Sequence, residues 1–561
     1  MQAPTGSNAL HWIDLVIFVL YMAAMLGIGV WFYRQNKNAD DFYVGGRKMG
    51  SLHIGLSVVA TDVGGGFSIG LGGLGFVMGL SGSWMLFTGL LGAWLAAVLL
   101  IPRVRKLTDE KALFTFPEIF GRLFNGRVAI VAGLISGIGY LGFTAAQMLA
   151  GAKLASASFV ALEQSTALWI MGVLIVVYTV LGGLKAVIFT DTIQWAILML
   201  GLVFIGIPLG YSAIGGWQGL TTTLGPEFLA LNNLRWQDFI NWLITILPIW
   251  FVGMTLYQRI YACRDEKTAK RAWFLAGLFE WPVMAFMGVL LGLFARVATA
   301  QGMFDYLGAE AVASLDAEKG LPMLLRTILP VGLMGLMLSA YFSAILSTAD
   351  SCLMAASGNF STDLLGKYLG WRKADKKRFL QASQLVTLVL GGVALLLATA
   401  MQSVLDLMLH SYAFMVSGLL VPLVGALFWK RKSSTGALVA MLLGGLITVS
   451  LTAGRFRVAA DANSHRLEER VQQIPPLAAA LRGSGVYEKP PARAAETIND
   501  RADTLKIIQP TGKGGFYFRL PFGLDPNFFG ILAAALSYLI FLQVLPDTPS
   551  PKKALAFAKS P

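Results

Sequence analysis

The chain has 561 residues, 13% of them charged and 56% hydrophobic, and its mean hydropathy is +0.66. A soluble domain carries roughly a quarter charged residues, so a soluble enzyme is excluded and lipid is the solvent these numbers fit. The net charge of +13 does not imply nucleic acid, because the basic residues sit in short clusters between apolar runs, where they orient a membrane protein. Two cysteines, Cys263 and Cys352, are too few for a disulfide framework, and the four histidines show no metal spacing. No basic segment precedes the first apolar run, so no cleavable signal peptide is expected.

Apolar runs of about 20 residues recur along the chain. In order they cover residues 12–33, 52–82, 84–101, 128–156, 167–181, 186–211, 239–257, 273–298, 321–360, 379–401, 404–429, 436–451 and 527–545. The expected architecture is an all-α polytopic membrane protein with about 13 transmembrane helices. An odd number puts the termini on opposite sides. Basic residues follow the odd-numbered spans: Arg34, Lys37, Arg47 and Lys48 after the first, Arg103 to Arg127 after the third, Lys185 after the fifth. Arg259 to Arg271 follow the seventh, Lys367 to Arg378 the ninth and Lys430 to Lys432 the eleventh. The positive-inside rule then puts the N-terminus outside and the C-terminus inside, in the cytoplasmic (plasma) membrane. Residues 452–526 form a polar insertion placed outside, and its Pro475–Pro476 and Pro490–Pro491 pairs predict irregular structure.

Two spans read as broken. The second carries Gly64, Gly65 and Gly66, then Gly70, Gly72, Gly73 and Gly75; the seventh carries Pro248 and Gly253. The later glycines suit close helix packing, and Gly64–Gly66, beside a carboxylate, suit a break. Five spans separate the two interruptions, an odd offset that reverses direction, and broken helices in two inverted halves mark a transporter's binding site. Three carboxylates fall inside spans, Asp62, Asp191 and Asp350, and such groups line cavities or ion paths unless hydroxyls hold them as structural groups. In the ninth span Ala344, Ser347, Thr348 and Ser351 share a helical face. Hydroxyls and free carbonyls suit a hard monovalent cation, although paired hydroxyls also bond to the preceding helical turn as packing devices.

These residues resemble the sodium:solute symporters, the family of sodium–glucose, proline, sialic acid and choline carriers. The resemblance covers residues 12 to 545. It rests on YTVLGGLKAVIFTDTIQ from Tyr178 to Gln194, AILSTADS from Ala344 to Ser351, and VGGR from Val44 to Arg47. It implies an inverted five-plus-five helix repeat of the leucine-transporter type, with one leading helix and further trailing ones. Residues 1–51 would hold the leading helix and its loop, 52–211 and 239–429 the two repeats, 436–451 a trailing helix, and 527–561 the final helix and a short tail. The resemblance further implies sodium bound by carbonyls of Ala60, Val63 and Ala344 and hydroxyls of Ser347 and Thr348. A second sodium site would involve Asp191, Asp350 and Ser351 together with Ser347; several relatives have serine at the Asp350 position. Asp62 matches a carboxylate of proline carriers, whereas the Val-Gly-Gly-Gly after it is more like choline carriers. Phe67, Ser68, Tyr140, Gln147, Trp242, Trp250 and Tyr412 are the candidate substrate residues. The reading is a sodium-coupled symporter importing a small organic solute by alternating access. It is not an enzyme, and no nucleic acid or obligatory protein partner is expected. A proton-coupled carrier of the same fold is the alternative, and a membrane solute sensor the more distant one.

Overall fold

The computed structural model describes residues 11–35, 47–62, 64–110, 113, 115–159, 162–181, 184–307, 315–361, 376–453, 508–511, 515–518 and 521–547. Helix α1 (Trp12–Gln35) leads. Its buried Asp14 accepts from the backbone N–H groups of Gly332 and Gly335, both at 2.7 Å, so a carboxylate meets the free donors at the start of a later helix.

Then come α2 (Ser51–Asp62), α3 (Gly64–Met78) and α4 (Trp84–Leu95). Helix α4 continues through a wider turn at Ala96–Leu100 into α5 (Ile101–Glu110). That turn lies just before Pro102, whose ring lacks an N–H and disturbs the ladder upstream. The first half ends with α6 (Pro117–Leu123), α7 (Gly126–Ser158), α8 (Gln164–Leu181), α9 (Leu184–Gly201), α10 (Ile207–Ala213) and α11 (Gly216–Thr223). The second half comprises α12 (Trp236–Val252), α13 (Met254–Ala262), α14 (Glu266–Leu278), α15 (Ala285–Ala300), α16 (Ala317–Ile328), α17 (Leu333–Gly358), α18 (Lys376–Thr399) and α19 (Val404–Phe428). Helices α20 (Ser434–Ala453) and α21 (Pro526–Val544) pack on each other and on α19. Between them β1 (Ile508–Thr511) and β2 (Gly515–Phe518) form an antiparallel hairpin; residues 454–507 of the polar insertion lie outside the described residues.

Helix α17 is the axis of the bundle. Within Leu333–Ser361, 94% of the most apolar window is buried, against 28% for Gln381–Thr399 and for Pro526–Val544. It packs on α1, α7, α9 and α18. The outer helices turn large apolar side chains outward, Phe204, Leu396 and Leu446 among them, as a lipid-facing surface does. Helix α3 lies backbone to backbone against α15: a Cβ on Gly292 would overlap the carbonyl oxygen of Gly72. Small residues are what permit that approach.

Several expectations change. Among the described residues nine helices are long and apolar enough to cross a membrane, or ten with one bent pair counted as a span. Trp12–Met25, Ser51–Thr61 and Gln164–Val177 are further apolar helices, shorter than a full span among the described residues. Residues 321–360 are not one helix. They divide into α16 and α17, because Pro330 and Gly332, at φ +89°, stop the helix between them. Arg103, Arg105 and Lys106 stand on α5 rather than in a loop, and buried Arg105 reaches the carbonyls of Ile260 (3.4 Å) and Cys263 (3.3 Å) at the end of α13, where a cation meets free acceptors. Both cysteines are buried and unbridged.

Candidate functional site

Two interruptions shape the centre. Helix α2 ends at Asp62 and α3 begins at Gly64 with φ +43°, a backbone that glycine adopts without a Cβ clash. Helices α12 and α13 meet at Gly253 with a 42° bend. Tyr140 of α7 supports the second break: its Oη accepts from the Thr255 N–H at 3.1 Å and bonds Thr255 Oγ1 at 3.0 Å. One otherwise orphaned donor of the α13 first turn is thereby satisfied.

Helix α17 faces the first break. Thr348 Oγ1 lies 3.1 Å from the Ala60 carbonyl oxygen and 2.9 Å from that of Ala344, and Ser347 Oγ lies 3.3 Å from Ala344 O. A Cβ on Gly64 would come within 2.7 Å of Thr348 Oγ1. Ala60, Gly64, Ala344, Ser347 and Asp191 line a small cavity with about 10 Å³ open to the centre of a water-sized sphere. That is room for about one water. Asp191 and Ser347 contribute oxygen atoms, the kind of donor alkali and alkaline-earth cations take, while Trp195, Leu198 and Met284 make most of the cavity wall apolar. Val63 lies outside the described residues, as do the side chains of Asp62 and Phe67.

Next to this cavity lies a cation that sequence reasoning assigned to a loop. Arg259 is on α13, with 0% exposure. Its Nε donates to Ser57 Oγ (3.2 Å) and its Nη1 to Thr255 O (3.2 Å). Its Nη2 reaches Thr61 Oγ1 (2.6 Å), Asp191 Oδ2 (3.4 Å) and Ser351 Oγ (3.4 Å). Asp191 Oδ2 also accepts from Ser57 Oγ at 2.7 Å, while its Oδ1 has no hydrogen-bond partner among the described residues. Asp350 is fully buried. Thr179 faces its carboxylate but donates its own proton to Ile175 O (2.8 Å), so neither Asp350 oxygen receives a hydrogen bond among the described residues. Just beyond the end of α13, exposed Asp265 caps α14 by accepting from the Thr268 N–H at 2.7 Å. That bond holds its carboxyl below the usual carboxylate range.

The candidate substrate residues separate. Gln147 is buried with both amide atoms unpartnered among the described residues, and a Cβ on Gly66 would lie 2.6 Å from its Oε1. It points at the first turn of α3. Ser68 Oγ donates to Tyr341 Oη at 3.0 Å, and Tyr412 stacks on Phe143 with centroids 5.0 Å apart. Trp242 lines a different cavity with Asn241, Asp406 and His410. Trp250 packs edge-on to Trp273 and against Gly92 of α4, a packing position.

Sequence reasoning also missed the buried ion pairs of Lys153, at 2.5 Å from Glu318 Oε2 and 2.6 Å from Asp316 Oδ2. The signal was available: Lys153 interrupts an apolar run as plainly as Asp191 does, and intramembrane cations carry the same meaning as carboxylates.

A membrane-embedded helical bundle with two interrupted helices, and oxygen donors converging where one of them breaks, defines a secondary transporter. The family model for the sodium:solute symporter family matches residues 42–444, and the chain belongs to that family. It is 28% identical over 459 residues to the osmoregulated proline transporter OpuE of Bacillus subtilis (strain 168), covering 79% of this chain and 89% of the relative. Identity to the sodium/proline symporter of Escherichia coli (strain K12) is 26% over 444 residues, covering 78% and 87%. Sodium/glucose cotransporter 1 of Oryctolagus cuniculus is 25% identical over 482 residues, covering 78% and 71%. Among solved structures, a substrate-bound, outward-open Na+-coupled sialic acid symporter superposes with a TM-score of 0.67 at 20% identity, covering 95% of this chain and 98% of that one. The fold is the inverted five-plus-five bundle of the leucine-transporter type, and the chain is a sodium-coupled, multi-pass membrane symporter.

Proposed function

We propose that the sodium ion binds where α2 breaks against α17, held by carbonyl oxygens of Ala60, Val63 and Ala344 and the hydroxyls of Ser347 and Thr348. The observation that carries this is Thr348 Oγ1, which touches both the Ala60 and Ala344 carbonyls. An ion there links the two helices, so its arrival favours one of the alternating-access states over the other. The repeats span residues 52–211 and 239–429. The protein lies in the plasma membrane with its N-terminus outside, its basic loops and C-terminus inside, and residues 452–526 outside. The inside-negative potential then adds about 2.3 kcal/mol per charge per 100 mV to inward movement.

The cargo is a small organic solute bound at the start of α3, with Gln147 as its first polar contact; Ser68 and Tyr140 lie around the same two breaks. Asp62 acts there as a charge favouring sodium. The carrier forms and breaks no covalent bond of its cargo, which separates it from an enzyme, and it needs neither nucleic acid nor a protein partner. Proline and glucose are the first probes, because relatives carry those names. The test is uptake into proteoliposomes of a panel of amino acids, sugars, carboxylates and choline-like cations. A sodium gradient should drive accumulation and a pH gradient without sodium should not; accumulation driven by the pH gradient alone would replace sodium with protons.

A further inference from the structure

We infer that Arg259 is the resident cation of the Asp191 pocket, so that its guanidinium takes the place a second sodium would need and the carrier binds one sodium per protein. The inference rests on the sodium-coupled reading and deepens it.

A second sodium would draw on Asp191, Asp350, Ser351 and Ser347. Two of these are already turned to the arginine: Asp191 Oδ2 and Ser351 Oγ both lie 3.4 Å from Nη2. Ser347 donates to Ala344 O in the first site at 3.3 Å and also faces the Asp191 carboxylate, so it stands between the two sites. Ser57, which could reach the same carboxylate oxygen, bridges Asp191 Oδ2 and Arg259 Nε instead. All three guanidinium nitrogens are engaged, on groups from α2, α9, α13 and α17. A fully buried guanidinium is always charged, so it repels any further cation brought to that carboxylate. The cavity alongside, lined by Asp191, Ser347, Ala60 and Ala344 and by apolar Trp195, Leu198 and Met284, has room for about one ion of water size. One mobile ion and one tethered ion can share this centre.

A purely structural arginine would leave the ion count unchanged when its charge is removed, so the count in the charge-removed variant is the readout. Purified protein reconstituted in lipid is titrated with radioactive sodium and the bound ions per protein are measured at saturation. Wild type should bind one, and Arg259→Lys, which keeps the charge, should also bind one. Arg259→Gln, which keeps donors but removes the charge, should bind two. Combining it with Asp191→Asn should return the count to one. Two ions in wild type that fall to one in Asp191→Asn would overturn the inference while leaving sodium coupling intact, as would a folded Arg259→Gln that still binds one. Should Arg259→Gln fail to fold, the comparison of wild type with Asp191→Asn decides alone. Wild type that binds no sodium would bring down the coupling reading itself and the inference with it.

Discussion

Among the described residues the molecule holds two buried cation–carboxylate clusters, one around Lys153 and one around Arg259, and they are finished to different degrees. At the Lys153 cluster every acceptor is used. Glu318 Oε1 accepts from Ser403 Oγ (3.2 Å) and the Leu405 N–H (3.0 Å), and Oε2 accepts from Lys153 Nζ (2.5 Å) and the Val404 N–H (2.9 Å). One side chain from α16 thus caps α19 and ties it to α7, the negative charge lying where the α19 dipole favours it. At the Arg259 cluster the arginine is satisfied but its surroundings are not. Asp191 Oδ1, both oxygens of Asp350 and both amide atoms of nearby Gln147 lack hydrogen-bond partners among the described residues. Completed polar networks fix a structure, while buried groups left open call for a functional reason. Of the open groups, Gln147 is the one the proposed solute would meet, at the first turn of α3.

The largest effect expected from this contrast is on folding. Glu318→Ala leaves Lys153, 1% exposed, with Asp316 alone and removes the acceptors of the Val404 and Leu405 N–H groups at the start of α19, where only the Ser403 cap remains. Breaking a buried pair costs about 3–5 kcal/mol, so the thermal unfolding midpoint in detergent should fall sharply. The fraction that folds should keep the wild-type sodium response. A midpoint equal to wild type would show that the two clusters do not differ in kind.

A smaller effect is expected at the α2 break. Gly64→Ala puts a Cβ within 2.7 Å of Thr348 Oγ1 at φ +43°, and left-handed backbone costs a non-glycine residue about 1–2 kcal/mol. If that strain falls on the ion site, the sodium needed for half-maximal uptake should rise by about five- to thirtyfold. An unchanged sodium requirement would move the ion away from Gly64.

The mildest change is Gln147→Leu, which fills similar volume without the amide. One hydrogen bond is worth about 0.5–1.5 kcal/mol, so apparent solute affinity should drop by about two- to tenfold. Sodium binding measured without solute should not move. A variant that loses sodium binding but keeps solute affinity would exchange the proposed roles of Gln147 and the α17 hydroxyls.

Composition and periodicity made the bundle readable, and the glycines at 64–66 are where α2 gives way to α3, because backbone freedom is a local property of glycine. The face shared by Ala344, Ser347 and Thr348 was readable for the same reason: a helix fixes which neighbours align. What local pattern could not carry was the partner of each polar group. Arg259 reads as the first residue of a basic loop until α13 is seen to run on to Ala262 and place it against α2, α9 and α17. Trp250 reads as a binding aromatic until Gly92 of α4 is found beside it. The division of residues 321–360 was hidden because Pro330 and Gly332 interrupt a run whose hydropathy stays high on both sides.

The central claim is that one sodium is held between the α2 break and α17. The most direct measurement is sodium-dependent uptake by Thr348→Ala beside wild type, at matched amounts of folded protein. Thr348 contributes the oxygen that touches both carbonyls, and a bond to a charged group is worth about 1.5–3 kcal/mol. The account predicts at least about a tenfold rise in the sodium concentration for half-maximal uptake. Identical sodium curves for the two proteins would contradict it.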